Sequence, residues 1–184
     1  MYLKGLKNGG LMNLNKEVVS HLEKDDSYSL EELFITYKTP IYQFIYRYCQ
    51  DEQLSMDLVQ DTFIRFIKYK HQFDASKSSI KTYLFRMAYQ LMVNKLKRRK
   101  RWRKVLPFLY VQDEKQPILS EDKLSVQQAI MELPDGERAV ILLTYYHDLK
   151  QKEISEVLDI PLGTVKSRLH SALKKLRNRL EVDV

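Results

Sequence analysis

The sequence predicts an all-α chain made of two small helical domains joined by a flexible linker. Apolar residues recur at periods near 3.6 along its 184 residues, and sustained period-two alternation is absent. Glycine-punctuated turns are few. Composition shifts between about Trp102 and Glu121, a stretch that holds Pro107 and Pro117 and swings from basic to acidic. The chain therefore divides into a tail (1–26), a first domain (27–101), a linker (102–121) and a second domain (122–184), the last containing a helix-turn-helix.

Each element has its own local signal. Met1–Asn13 carries Lys4, Lys7 and three glycines without an apolar signal core. It reads as a disordered tail, with Met12 as an alternative start. Ser29 and Glu32 have capping-box spacing and open a helix whose apolar face is Leu33, Phe34, Tyr37, Ile41, Phe44, Ile45 and Tyr48. Pro40 predicts a kink or short break within it. Asp51 caps a second helix through about Lys70, with Leu54, Leu58, Phe63, Phe66 and Ile67 as core. A polar loop, Asp74–Ser79, precedes a third helix from about Ile80, which buries Leu84, Met87, Ala88 and Leu91 and ends in the basic run Lys95–Arg101. Phe108–Val111 is too apolar to face solvent alone and predicts a linker segment that docks. Helices over Lys123–Leu133 and Glu137–His147 flank a turn punctuated by Pro134 and Gly136.

Residues 149–180 read LKQKEISEVLDIPLGTVKSRLHSALKKLRNRL and carry the most functional information. Two short amphipathic patterns meet at Asp159-Ile160-Pro161, with Pro161 suited to the first helical position. Val165, Leu169, Ala172, Leu173, Leu176 and Leu180 form one stripe that should pack inward. Opposite lie Gly163, Lys166, Ser167, His170, Ser171 and Lys174. This is the pattern of a helix-turn-helix, whose second helix enters the DNA major groove and reads bases near its N-terminus. Lys166, Ser167, His170 and Ser171 are thus placed for base edges; Thr164, Lys150, Gln151 and Lys152 are better placed for phosphates. The plainer alternative is a basic, solvated helix of an ordinary bundle. Glu153 and Arg168 predict a brace across the turn.

Composition bounds the rest. A formal charge of +7 favours a polyanionic partner, either nucleic acid or an anionic membrane surface. No apolar run approaches the ~20 residues that span a bilayer, so direct membrane insertion is not expected. The single cysteine, Cys49, rules out an intrachain disulfide and fits a reducing cytoplasm. Phosphate-binding glycine loops, a nucleophile elbow and metal-ligand spacings are all missing, and His21, His71, His147 and His170 are scattered. Neither an enzyme nor a cofactor is expected.

Two further stripes lie in the first domain. Tyr83, Arg86, Gln90, Asn94 and Lys97 share a helix face opposite Leu84, Met87 and Leu91. Aromatic, amide and cationic groups can offset the cost of holding a base outside its stack, on the order of a few kcal/mol. Asp57, Gln60 and Asp61 make an acid-and-amide patch in a basic protein, which suits a cationic partner. The helix dipole alone would explain Asp57, and explains Gln60 and Asp61 less well.

From about Tyr28 to Leu180 the chain resembles the bacterial sigma-seventy family, in its compact extracytoplasmic-function group. Asp57-Leu58-Val59-Gln60-Asp61-Thr62-Phe63 is similar to the family's polymerase-binding signature, and Thr82–Gln90 to its promoter-melting helix. Leu133-Pro134…Arg138…Leu142 resembles the start of its C-terminal domain, and Gly163–Leu169 its recognition helix. The resemblance implies that the chain binds core RNA polymerase through Asp57, Gln60, Asp61 and Phe63. It implies minus-ten promoter DNA contacts for Lys77, Tyr83, Arg86, Gln90, Asn94, Lys97 and Arg98, and makes Asp74–Ser79 part of a pocket for a flipped base. Tyr69 and Tyr89 would add stacking. The helix-turn-helix residues would read the minus-thirty-five element. An anti-sigma factor is admitted as a further partner. The chain departs from the family pattern at Tyr83 (usually Trp), Gln90 (usually Asn), Asn94 (commonly Asp), Lys150 (commonly a Ser or Thr cap) and Ser155 (usually Ala). A stand-alone operator-binding regulator would account for residues 123–180, but not for the two first-domain stripes. A degenerate factor that only binds protein partners would not need its DNA-facing residues.

Overall fold

The computed structural model describes residues 29–105 and 121–180. Their regular structure is helical throughout: α1 (Leu30–Cys49), α2 (Glu52–Tyr69), a 3₁₀ turn (Lys70–Gln72), α3 (Ile80–Val105), α4 (Glu121–Met131), α5 (Asp135–Tyr145), α6 (Gln151–Leu158) and α7 (Leu162–Leu180). The expected N-terminal tail and the segment Phe108–Val111 lie outside the described residues.

The first half is a three-helix body. Pro40 stands inside α1 without interrupting it; the fully buried Ile41, Phe44 and Ile45 hold the helix across the missing N–H. The expected capping box at Ser29 does not close. Its carbonyl accepts from Leu33 N–H at 3.0 Å, but its hydroxyl makes no cap bond. Asp51 does cap α2: its Oδ1 accepts the Leu54 N–H at 2.9 Å. Its other oxygen accepts from Arg99 Nη1 at 2.6 Å, tying the basic end of α3 to the start of α2. Burial alone would raise the Asp51 carboxyl, but the Arg99 guanidinium and the Leu54 N–H outweigh it and hold it below the usual range.

α3 turns a wider arc inward than expected. Leu84, Phe85, Ala88 and Met92 are fully buried and Met87 nearly so, whereas Leu91 is only half-buried. Three partners explain this, because α3 packs against α1, α2 and α6, and one narrow amphipathic stripe cannot cover them all. Ile67, expected in the core, is also half-buried.

In the second half α5 is the central helix, with the five consecutive residues Ala139–Leu143 buried. At the start of α6 the Glu153 carboxylate accepts the Lys150 N–H at 2.8 Å. Asp159 ends α6 at φ 54°, a left-handed conformation that an Asx side chain tolerates. The Ser155 hydroxyl then donates to Ile160 O at 2.6 Å, fastening the turn. Pro161 sits just before α7, its carbonyl accepting from Thr164 and Val165 N–H, one position earlier than expected. Val165 and Ala172 are buried and Leu169, Leu176 and Leu180 half-buried. Leu173 departs from the expected inward stripe and remains 38% exposed.

The two halves lie against each other: α3 on α6, and α1 on α4 and α5. His147 is the hub, 5% exposed, with its ring centroid 5.7 Å from Phe44 and 4.9 Å from Phe85. Burial pushes its imidazole down to about 4; Lys81 and Arg47 push the same way and Asp148 opposes them.

Asp51→Ala should cost about 1–2 kcal/mol of stability by removing the α2 cap, readable in urea denaturation at neutral pH. For His147 the sign follows from the lowered value. Between its ordinary 6.5 and about 4 the unfolded chain binds a proton that the folded chain does not. Its contribution is thus complete above 6.5 and is lost as pH falls toward 4. His147→Phe should flatten the fall in Tm over that window, and an unchanged slope would remove His147 as the cause.

Candidate nucleic-acid interface

On α7 the side chains of Lys166, Ser167 and His170 are exposed, with Thr164 half-buried behind them. A Cβ at Gly163 would meet nothing within 4 Å, so the backbone here is open to close approach. Ser167 Oγ donates to Thr164 O at 3.1 Å, inside its own helix. Ser171 is less available than its position on the wheel suggested. Its hydroxyl donates to Glu137 Oε1 at 3.0 Å, and Lys175 Nζ approaches the same carboxylate at 2.7 and 2.9 Å. Lys150 and Lys152 are exposed at the start of α6, and Gln151 is half-buried.

The expected Glu153–Arg168 brace does not form: Glu153 bonds elsewhere and Arg168 lies against Gly136. Glu153 accepts from Lys150 N–H and, at 3.3 Å, from the Thr82 hydroxyl. The Arg168 guanidinium lies over Gly136, where a Cβ would stand 2.8 Å from Nη1. Glycine at 136 leaves that space free.

Along α3 the side chains of Arg86, Asn94, Lys97 and Arg98 are exposed and Gln90 is half-buried. Arg65 of α2 donates from Nη2 to Gln90 Oε1 at 3.4 Å. Arginine can only donate, so this bond engages the Gln90 amide oxygen and leaves its NH₂ free to donate. Nothing in the sequence pointed to Arg65, which is 25 positions from its partner. Tyr83 is a half-buried wall and not a free platform, its ring packing 5.2 Å from Phe73 and 6.3 Å from Phe66. Tyr69 and Tyr89 are half-buried against the same core. In the preceding loop Asp74 Oδ1 accepts from Ser76 N–H at 3.0 Å and Ser76 Oγ at 2.7 Å, while Lys77 Nζ sits 2.9 Å from Oδ2. These bonds bring the exposed Asp74 carboxyl down to about 2.

The acid-and-amide patch is where the spacing placed it: Asp57, Gln60 and Asp61 are exposed on α2, with Gln53 Nε2 donating to Asp57 Oδ1 at 2.9 Å. Phe63 is different. It is 5% exposed and meets Phe34 edge-on at 4.9 Å, so it fixes α2 to α1 instead of presenting its ring. The apolar residue that does face out is Ile64, 50% exposed one turn beyond Gln60. Extending the same i, i+3, i+7 count would have found it. Among the described residues no His/Cys/Asp/Glu group could hold a metal ion, and no helix is long and apolar enough to cross a membrane.

A helix-turn-helix behind a second helical body with its own polar and cationic stripe defines a two-part DNA-binding protein. Sequence comparison makes this definite. Residues 33–102 match the model of sigma-70 region 2, and residues 123–176 that of sigma-70 region 4. The ECF RNA polymerase sigma factor SigW of Bacillus subtilis is 30% identical, over 90% of this chain and 96% of its own. SigM of the same organism is 27% identical, over 81% and 93%. A co-crystal structure of the sigma factor RpoE with the anti-sigma factor NepR from Bartonella quintana shares the fold, with a TM-score of 0.72, 20% identity, and coverage of 84% of this chain and 98% of that one. The chain belongs to the sigma-70 family, in the extracytoplasmic-function group of RNA polymerase sigma factors.

Proposed function

We propose that the faces described above divide a sigma factor's work, with α2 meeting core polymerase, α3 the minus-ten element and α7 the minus-thirty-five element. The observation that carries this is the match to both sigma regions in order, each over a body whose polar stripe is exposed. On α2, Asp57, Gln60 and Asp61 supply charge and hydrogen bonds around the exposed Ile64, an apolar centre within a polar rim. On α3, Arg86, Gln90, Asn94, Lys97 and Arg98 meet the opened strand, with Lys77 beside the flipped base. The free NH₂ of Gln90 favours a base that offers an acceptor there. Tyr83 supports this surface from its edge. On α7, Lys166, Ser167 and His170 read base edges, while Thr164, Lys150, Gln151 and Lys152 hold phosphates. Ser171 orients α7 through Glu137.

Such a factor works where polymerase and chromosome are, in the cytoplasm. It supplies positioning and strand stabilisation, not chemistry of its own. The complex of RpoE with NepR supports an anti-sigma partner for this chain as well.

The deciding experiment is initiation in vitro: core polymerase should start at particular promoters only when this chain is added. A stand-alone regulator would bind its operator tightly and leave core polymerase unaffected. Gln60→Ala combined with Asp61→Ala should weaken association with core polymerase by about tenfold or more without shifting Tm; unchanged co-purification would move the contact elsewhere. Lys166→Ala should lower output from minus-thirty-five-dependent promoters by roughly five- to a hundredfold, the range for losing one base or phosphate contact. Unaltered output would remove Lys166 from the interface.

A further inference from the structure

We propose that Arg65 of α2 decides which base Gln90 accepts: it holds the Gln90 amide in one of its two orientations and so sets a preference for a keto base over an amino base at one minus-ten position. The inference rests on the assignment of Gln90 to the opened minus-ten strand, and deepens it.

Glutamine is an ambiguous reader. Its terminal amide carries an acceptor and a two-hydrogen donor, and turning the amide over exchanges them within nearly the same shape. Unrestrained, it can bond adenine through both at once, at N6 and N7. An arginine beside it removes the ambiguity, because a guanidinium only donates. Arg65 Nη2 donates to Gln90 Oε1 at 3.4 Å. That is long for such a bond, so the restraint comes from sign more than from strength. The reversed amide would set donor against donor beside a full positive charge. The oxygen therefore stays with Arg65, and the NH₂ remains for the base. Thymine O4 and guanine O6 accept from it, whereas adenine N6 and cytosine N4 present hydrogens at the corresponding place.

The surroundings of Arg65 favour this role over a purely structural one. Arg99 is committed to the Asp51 carboxylate and Arg138 to backbone carbonyls, and both hold helices together. Arg65 is half-buried, yet among the described residues its hydrogen bond goes to a neutral side chain on the α3 stripe and no carboxylate pairs with it. Charges drawn out of water are normally paired. Arg65 and Arg86 also lie within electrostatic reach of the Tyr83 hydroxyl: burial pushes its pKa up, and both guanidiniums draw it back. A cation from α2 thus enters the group Tyr83, Arg86 and Gln90, spaced i, i+3 and i+7 on α3.

The test measures base preference at each minus-ten position, with the full chain, core polymerase and a promoter library randomised there. The wild type should favour thymine or guanine over adenine or cytosine at one position by about fivefold or more. Gln90→Ala should erase that preference. Arg65→Met should erase it too and raise the use of adenine, while Arg65→Lys, which also only donates, should retain most of it. Gln90→Glu keeps an acceptor toward Arg65 but removes the donor, and should reverse the preference toward amino bases. Preference is a ratio between promoters, so a uniform loss of polymerase affinity cancels from it. In the free chain, Arg65→Met should shift the Gln90 side-chain NH₂ signals in NMR. A keto preference that Gln90→Ala removes but Arg65→Met leaves intact, or unshifted NH₂ signals, would overturn the role of Arg65 alone. A preference indifferent to Gln90→Ala would overturn the minus-ten assignment of Gln90, and the proposal with it.

Discussion

The structure depends on α3 being packed against α1, α2 and α6 at once. Its inner arc, Leu84, Phe85, Ala88 and Met92, is buried completely. Fully burying each of the larger side chains is worth about 1.5–3 kcal/mol, far more than any single surface pair. That burial keeps α3 in register, and the register alone decides that Arg86, Gln90, Asn94 and Lys97 face outward. The same helix carries its apolar arc far enough round for Phe85 to meet His147. The exposed polar stripe of α3 and its buried contact with the second half are thus consequences of one packing solution.

Electrostatics divides the labour differently in the two halves. Arg99 at the end of α3 is committed to Asp51, and Arg138 to the carbonyls of Met131, Leu133 and Tyr48; these cations hold the fold. Lys97, Arg98, Lys152 and Lys166 are exposed and attract polyanion. The Arg86–Asp159 pair spans 3.8 Å with side chains 44% and 80% exposed. At that exposure it contributes no more than about 1 kcal/mol, so apolar contact at His147 must do most of the holding. Phosphate competing for Arg86 would displace Asp159 at little cost.

Periodicity and capping rules made the helices legible. Asp51, the left-handed stop at Asp159 and the open flank of α7 all follow from nearest-neighbour chemistry, which one sequence contains. Ser29 shows the limit: its spacing was right, but its hydroxyl makes no cap bond. Packing between segments is harder to read. Phe63 was expected in the core and also, by motif position, at the polymerase contact; its edge-on packing with Phe34 bears out the first. Tyr83 was placed on the outward stripe, and Phe66 and Phe73 draw it partly inward. Leu91 gave way to Met92 because α3 packs against several helices, which a helical wheel of α3 alone cannot contain. Arg65–Gln90 and Ser171–Glu137 are long-range pairs of ordinary residue types, and no local rule marks them. The pairing of α3 with α6 is of the same kind.

The seam between the two halves sets apolar gain against polar cost. Phe44, Phe85 and His147 supply the buried aromatic contact that holds it. Among the described residues, Arg47 Nε, Gln50 Oε1, Arg138 Nε and His147 Nε2 are buried without a hydrogen-bond partner, and each such atom costs about 1–3 kcal/mol. The aromatic cluster therefore has to offset that cost, while hydrogen bonds at its edge, such as Lys81 Nζ to His147 O and Ser78 Oγ to Glu156 Oε2, fix how the halves are aligned more than how strongly they hold.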